Sequence, residues 1–194
     1  MAGTLYARTA GHPANPALIL LHGAGAASRM WKKQLAGLSM GALVAAQVAA
    51  EHPASVSRLI LQGASIRPAE RGRGAIRFYR SRPGWWYMKA AADLHDRPTL
   101  LAMVDAVEKA DITDLLPRIA APTLILCGAR DKEALPDAQP VADAIPRARL
   151  VVVPHTGHLM PVTAAKVFNT IVDGFLADAS PTTGSHSRDD RSMQ

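Results

Sequence analysis

The sequence predicts an α/β fold: a mostly parallel sheet with helices on both faces. Three observations predict it. Four short apolar runs lack the polar alternation of a half-exposed strand, as expected where helices cover both faces of a parallel sheet. Helical patterns lie between those runs. The chain has 194 residues, 48% of them hydrophobic, enough for one sizeable core.

Taken in order, Tyr6–Thr9 is a candidate edge strand, and Ala17–Leu21 (ALILL) is the first buried run. Met40–Glu51 is Ala-rich, apolar on most sides and stops before Pro53, as a buried helix does. Arg58–Leu61 (RLIL), Thr123–Cys127 (TLILC) and Arg149–Val153 (RLVVV) are the remaining buried runs. Ala138–Ala144 and Ala164–Leu176 read as helices. Residues 65–110 break the rhythm and read as a helical insertion over one end of the sheet. They hold five of the nine aromatics: Phe78, Tyr79, Trp85, Trp86 and Tyr87. Residues 1–178 are expected to form one domain carrying this insertion. The polar stretch 179–194 has turn residues without an apolar period and is expected to be a disordered tail.

The formal net charge is +6, and much of the excess sits at Arg67, Arg71, Arg73, Arg77, Arg80 and Arg82. The charge therefore belongs to one segment rather than to the whole surface. Cys127 is the single cysteine, so no intramolecular disulfide is possible; it ends a buried run and reads as a small core residue. The N-terminus lacks the basic start and apolar run of a signal peptide, and no apolar stretch is long enough to cross a bilayer. The expectation is a soluble, cytoplasmic protein. No metal-ligand spacing, P-loop or dinucleotide fingerprint is found, and neither a metal nor a cofactor is expected.

Gly37-Leu38-Ser39-Met40-Gly41 matches G-x-S-x-G. A serine attacks a carbonyl only if its hydroxyl projects freely and a base takes its proton. A sharp strand-to-helix turn gives the projection, and small flanking residues permit the crowded backbone. The Met40 N–H, at the helix start, suits a developing oxyanion. A glycine-flanked helix cap at Ser39 has the same pattern. Asp131 lies just past the Thr123–Cys127 run, where active sites of open α/β sheets gather, and suits the acid that orients a histidine. An Asx turn or cap would look alike, and Asp137 and Glu133 are the other candidate acids. His158 follows Gly157 in the loop after the last run and suits the base; His155 reads as a loop or supporting residue. Asp131 lies 92 positions after Ser39, and His158 follows 27 further on. Serine, acid, histidine is one of three known triad orders.

Four segments, LILLHGAGAASRMW (Leu18–Trp31), GLSMGALVAAQVAAEHP (Gly37–Pro53), APTLILCGARD (Ala121–Asp131) and ARLVVVPHTGHLMP (Ala148–Pro161), resemble the α/β-hydrolase superfamily in its small-molecule branch of esterases and lactonases. GLSMG is similar to the elbow of enol-lactonase-type members. The resemblance implies an enzyme hydrolysing an ester, thioester or lactone of a small molecule through Ser39, His158 and Asp131. It also implies an oxyanion hole of the Ala24 and Met40 N–H groups, with His22-Gly23-Ala24 as the oxyanion loop. The insertion follows the Arg58–Leu61 run, where family lids occur, so Trp85, Trp86 and Tyr87 are expected to line or cover the pocket. Neither nucleic acid nor membrane is the expected partner.

One departure stands out. Only 16 positions separate Gly23 from Ser39, where the family has two helices and two strands, and a single parallel crossover needs a dozen or more residues. The sheet is therefore expected to be shortened by about two strands. Lys33–Leu38 then serves as a makeshift strand, or the sheet closes up in another order. The alternative to an enzyme is a catalytically weak or inactive relative acting as a binding or assembly module. An unpaired sheet edge would favour a homo-oligomer.

Overall fold

The computed structural model of the chain describes residues 37–92 and 96–178. The runs at Tyr6–Thr9 and Ala17–Leu21, the oxyanion loop with Ala24, and the tail 179–194 lie outside the described residues.

Strands form at the three apolar runs that fall within the described residues, and a further one at Gly37–Leu38. β1 (Gly37–Leu38), β2 (Leu59–Gln62), β3 (Thr123–Gly128) and β4 (Ala148–Val153) make one sheet in the order β1-β2-β3-β4, every pair parallel. β1 is the end of the Lys33–Leu38 segment. Among the described residues it spans Gly37–Leu38 and pairs Gly37 with Leu61 and Leu38 with Gln62.

Period-two alternation divides the core into two layers. Leu59 and Leu61 of β2 and Ile125 of β3 pack with Ala42, Ala46 and Ala49 of α1 (Met40–Glu51). Val141, from a later helix (Leu135–Ala144), completes that layer. The small alanine side chains let α1 lie close to the sheet. On the opposite face Ile60, Leu124 and Leu126 pack with Phe168, Val172 and Phe175 of the last helix (Ala165–Ala177).

Between β2 and β3 come α2 (Pro68–Arg71), α3 (Arg73–Arg80), α4 (Arg82–Ala92) and α5 (Arg97–Lys109). Ile76, Met88, Leu100 and Val104 form their own small core. Asp96 caps α5, its Oδ1 accepting the Thr99 N–H at 2.7 Å. Gly84 allows α3 and α4 to meet, since a Cβ there would lie 1.9 Å from the Phe78 carbonyl oxygen.

After β3 come α6 (Leu135–Ala144), β4, the single turn α7 (Met160–Thr163) and α8 (Ala165–Ala177). α6 starts three residues before the predicted Ala138 because Pro136 suits a first helical turn. Among the described residues no helix is long and apolar enough to cross a membrane.

Candidate active site

Ser39 sits between β1 and α1 with φ 55° and ψ −118°, a conformation that side chains rarely adopt. Its N–H donates to the Gln62 carbonyl at 2.9 Å, which ties the turn to β2. Gly37 is required by crowding: a Cβ there would come 2.9 Å from the Gly41 carbonyl oxygen. The Ser39 hydroxyl makes no capping bond to α1. The side chain instead lines a cavity of about 480 Å³ at the C-terminal ends of the strands, together with Met40, Asp131 and His158.

Asp131 is reached by a turn after β3 that is clamped to the loop after β4. Ala129 N–H donates to the Val153 carbonyl at 3.0 Å, and Arg130 N–H to the Thr156 carbonyl at 2.8 Å. The two loops approach so closely that a Cβ on Gly128 would fall 2.5 Å from the Thr156 carbonyl oxygen. Asp131 is 3% exposed. Its Oδ1 accepts the Ala134 N–H at 3.2 Å and its Oδ2 lies 2.7 Å from His158 Nδ1. The carboxylate thus caps a turn and also holds the histidine.

Burial pushes the Asp131 carboxyl up. The hydrogen bond and charge of His158, with the backbone N–H groups of Ala134 and Glu133, outweigh that and leave it below the usual carboxylate range. Burial likewise pulls the His158 imidazole down. Its hydrogen bond to Asp131 and the negative charges of Asp131 and Glu133 prevail, and His158 stands above the ordinary imidazole range.

His155 is exposed, with φ 61°, and does not line the cavity. Of the other candidate acids, Asp137 accepts hydrogen bonds from the Ser65 hydroxyl and, at 3.0 Å, from the Ile66 N–H. Glu133 lines the cavity from an exposed position. Cys127 is buried among Ala134 and Ala138, and burial and the Asp131 charge push its thiol up to about 12, so it holds no thiolate near neutral pH.

The expectation for Trp85, Trp86 and Tyr87 is corrected. None of the three lines the cavity. Met88 of α4 is buried in one cluster with Ile76 of α3 and Leu100 and Val104 of α5, and Trp85 packs against that cluster, so the helix turns Trp86 and Tyr87 outward. They are 64% and 54% exposed, Tyr87 against the Phe78 ring and Trp86 beneath the Lys89 ammonium. The insertion lines the cavity instead through Ile76, Tyr79, Val104 and Val107. Tyr79→Ala is therefore expected to change KM for an acyl substrate several-fold, and Trp86→Ala to leave it within about twofold; steady-state kinetics on both variants check this.

Gly63, just after β2, is a site residue that no sequence motif marks. Its φ is 60°, and a Cβ would lie 3.0 Å from His158 Cε1 and 3.1 Å from Nδ1. Its position at a strand end was the available signal. Gly63→Ala is expected to displace the imidazole and lower kcat/KM about a hundredfold, checked by kinetics alongside a thermal melt.

Among the described residues no group of three or more His, Cys, Asp or Glu could hold a metal ion.

Residues 32–170 match the family described as "Alpha/beta hydrolase family". "Putative carbamate hydrolase RutD" of Klebsiella pneumoniae is 30% identical over 174 residues, covering 74% of this chain and 65% of the relative. The protein of the same name in Yersinia enterocolitica is 25% identical over 170 residues, covering 72% of this chain and 61% of the relative. The chain thus spans less than two thirds of the length of these curated relatives.

Among solved structures, MGS-M2, an alpha/beta hydrolase enzyme from a Medee basin deep-sea metagenome library, superposes with a TM-score of 0.72. It is 16% identical and covers 89% of this chain and 93% of its own. The enol-lactonase from Burkholderia xenovorans LB400 gives 0.68 at 18% identity, over 86% and 94%. At such identities the likeness is one of fold.

Proposed function

The chain belongs to the alpha/beta hydrolase family, and on that premise we propose that it hydrolyses an ester, thioester or lactone of a small molecule with Ser39 as nucleophile. The observation that carries the proposal is one cavity lined by a strained, uncapped serine and by a His158–Asp131 pair 2.7 Å apart. His158 takes the proton of the Ser39 hydroxyl as its oxygen attacks the carbonyl carbon, and Asp131 steadies the imidazolium that results. The tetrahedral oxyanion takes a hydrogen bond from the Met40 N–H, and Ala24 is the proposed second donor. Collapse expels the alcohol with the proton returned from His158, and a water activated by the same imidazole releases the acid. The relatives named as carbamate hydrolases add carbamates to the carbonyl compounds worth testing.

The test is a panel of nitrophenyl acetate, a small lactone and a nitrophenyl carbamate offered to folded protein. Turnover of the ester or lactone is expected, rising with pH along a limb above the ordinary imidazole value, because His158 must be neutral to act as base. Failure of all three substrates with folded protein contradicts the proposal.

A second reading, a non-catalytic relative serving as a binding module, is favoured by the 16 positions between Gly23 and Ser39. They leave little chain to seat Ala24 opposite Met40. That reading predicts no acylation of Ser39 by a reactive probe.

A further inference from the structure

His158 sits in a loop, so its imidazole is only as well placed as the backbone that carries it. Gln62, the last residue of β2, contacts that backbone directly. It is wholly buried, and its Nε2 donates to the His158 carbonyl at 2.9 Å. Its own carbonyl accepts the Ser39 N–H at 2.9 Å. The next residue, Gly63, is the one whose missing Cβ makes room for the His158 ring.

The remaining polar atom of the side chain, Oε1, is buried with no partner among the described residues. Leaving an acceptor unpaired in the interior is unfavourable, and a methionine would fill the same volume without it. Among the described residues, what the amide contributes is the donor it supplies to the His158 carbonyl.

We propose that Gln62 is a positioning residue for the hydrolytic reaction, joining the nucleophile turn to the base loop by its backbone carbonyl on one side and its side-chain amide on the other. The inference rests on the reading of Ser39 and His158 as nucleophile and base.

Two variants of the full chain test it. Gln62→Met keeps the volume and removes the donor. It is expected to lower kcat for nitrophenyl acetate between about tenfold and a hundredfold, the range that a small misplacement of a reacting group produces, with KM within about twofold of wild type. Gln62→Glu keeps a donor while its buried carboxyl is neutral, and burial favours that form. Its kcat is expected to stay within about threefold of wild type at the low end of the working pH range, and to fall away from wild type as the carboxyl ionises.

Asp131 and Glu133 bear on His158, and Arg130 and Lys132 line the same cavity. All four are unchanged in both variants, so the variant-to-wild-type ratio at each pH isolates position 62. A side chain that merely fills space predicts equal kcat for all three proteins and a ratio independent of pH; either result overturns the proposal. If Gln62→Met fails to fold, the pH dependence of the Gln62→Glu ratio decides alone.

A readout independent of turnover separates this inference from the reading beneath it. His158 can be titrated by NMR in histidine-labelled wild type and Gln62→Met, assigned with His158→Gln. A lower His158 pKa in the methionine variant is expected, as its grip on Asp131 loosens. An unchanged value overturns the positioning role even in a protein that hydrolyses nothing, whereas wild-type protein without turnover or probe labelling refutes only the nucleophile and base assignments.

Discussion

Ser39→Ala is expected to lower turnover of a short-chain nitrophenyl ester by about three orders of magnitude or more while leaving the fold in place. The substitution removes one oxygen. That oxygen makes no capping bond to α1, so the helix loses nothing. The backbone strain at φ 55° is equally borne by alanine, which has the same Cβ. Stability and activity should therefore separate cleanly, in a thermal melt on one side and in kcat on the other. His158→Ala should produce a loss of similar size, and the double variant little more, because the groups act as a unit. Substantial activity surviving Ser39→Ala, or losses that simply multiply, would mean that the serine is a bystander.

Asp131→Asn carries the second large effect, about 10³- to 10⁴-fold in kcat. The carboxylate has two duties, Oδ1 on the Ala134 N–H and Oδ2 on His158 Nδ1. Asparagine has one oxygen, so it can keep the turn or accept from the histidine, not both. If its NH₂ faces His158, the ring must present a lone pair at Nδ1 and carry its proton on the nitrogen that has to accept from Ser39. The sign of the pH effect is also fixed. Asp131 is a cause of the raised His158 pKa, so its loss should move the acidic limb of kcat/KM to lower pH. A limb that stays in place would show that another group governs it.

Much of the scaffold was legible because it rests on local signals. The three apolar runs within the described residues are strands shifted by a residue or so, and the Ala-rich helix Met40–Glu51 has the bounds that Ser39 and Pro53 suggest. The loops bearing Asp131 and His158 could be read because each follows a strand end. What could not be read depends on contacts between distant segments. No motif in the local pattern singles out Gly63, and only the His158 ring lying over it reveals its role. Gln62 lies one residue past the predicted run Arg58–Leu61, and only its amide on the His158 carbonyl reveals its role.

The aromatics of α4 were misassigned for a related reason. Which face of a short helix turns inward is set by packing against its neighbours, here Met88 in the cluster with Ile76, Leu100 and Val104, and Trp-Trp-Tyr in succession spans most of a turn without declaring a face. Tyr79, one element earlier, reaches the cavity instead.

The most direct test of the central claim is labelling of the intact, folded protein with a fluorophosphonate, followed by peptide mapping of the adduct. The account predicts one adduct, on Ser39, its rate in the wild type rising with pH through the His158 titration and strongly reduced in His158→Ala and Asp131→Asn across that range. Folded protein that takes up no probe, or that carries it on a residue other than Ser39, contradicts the account.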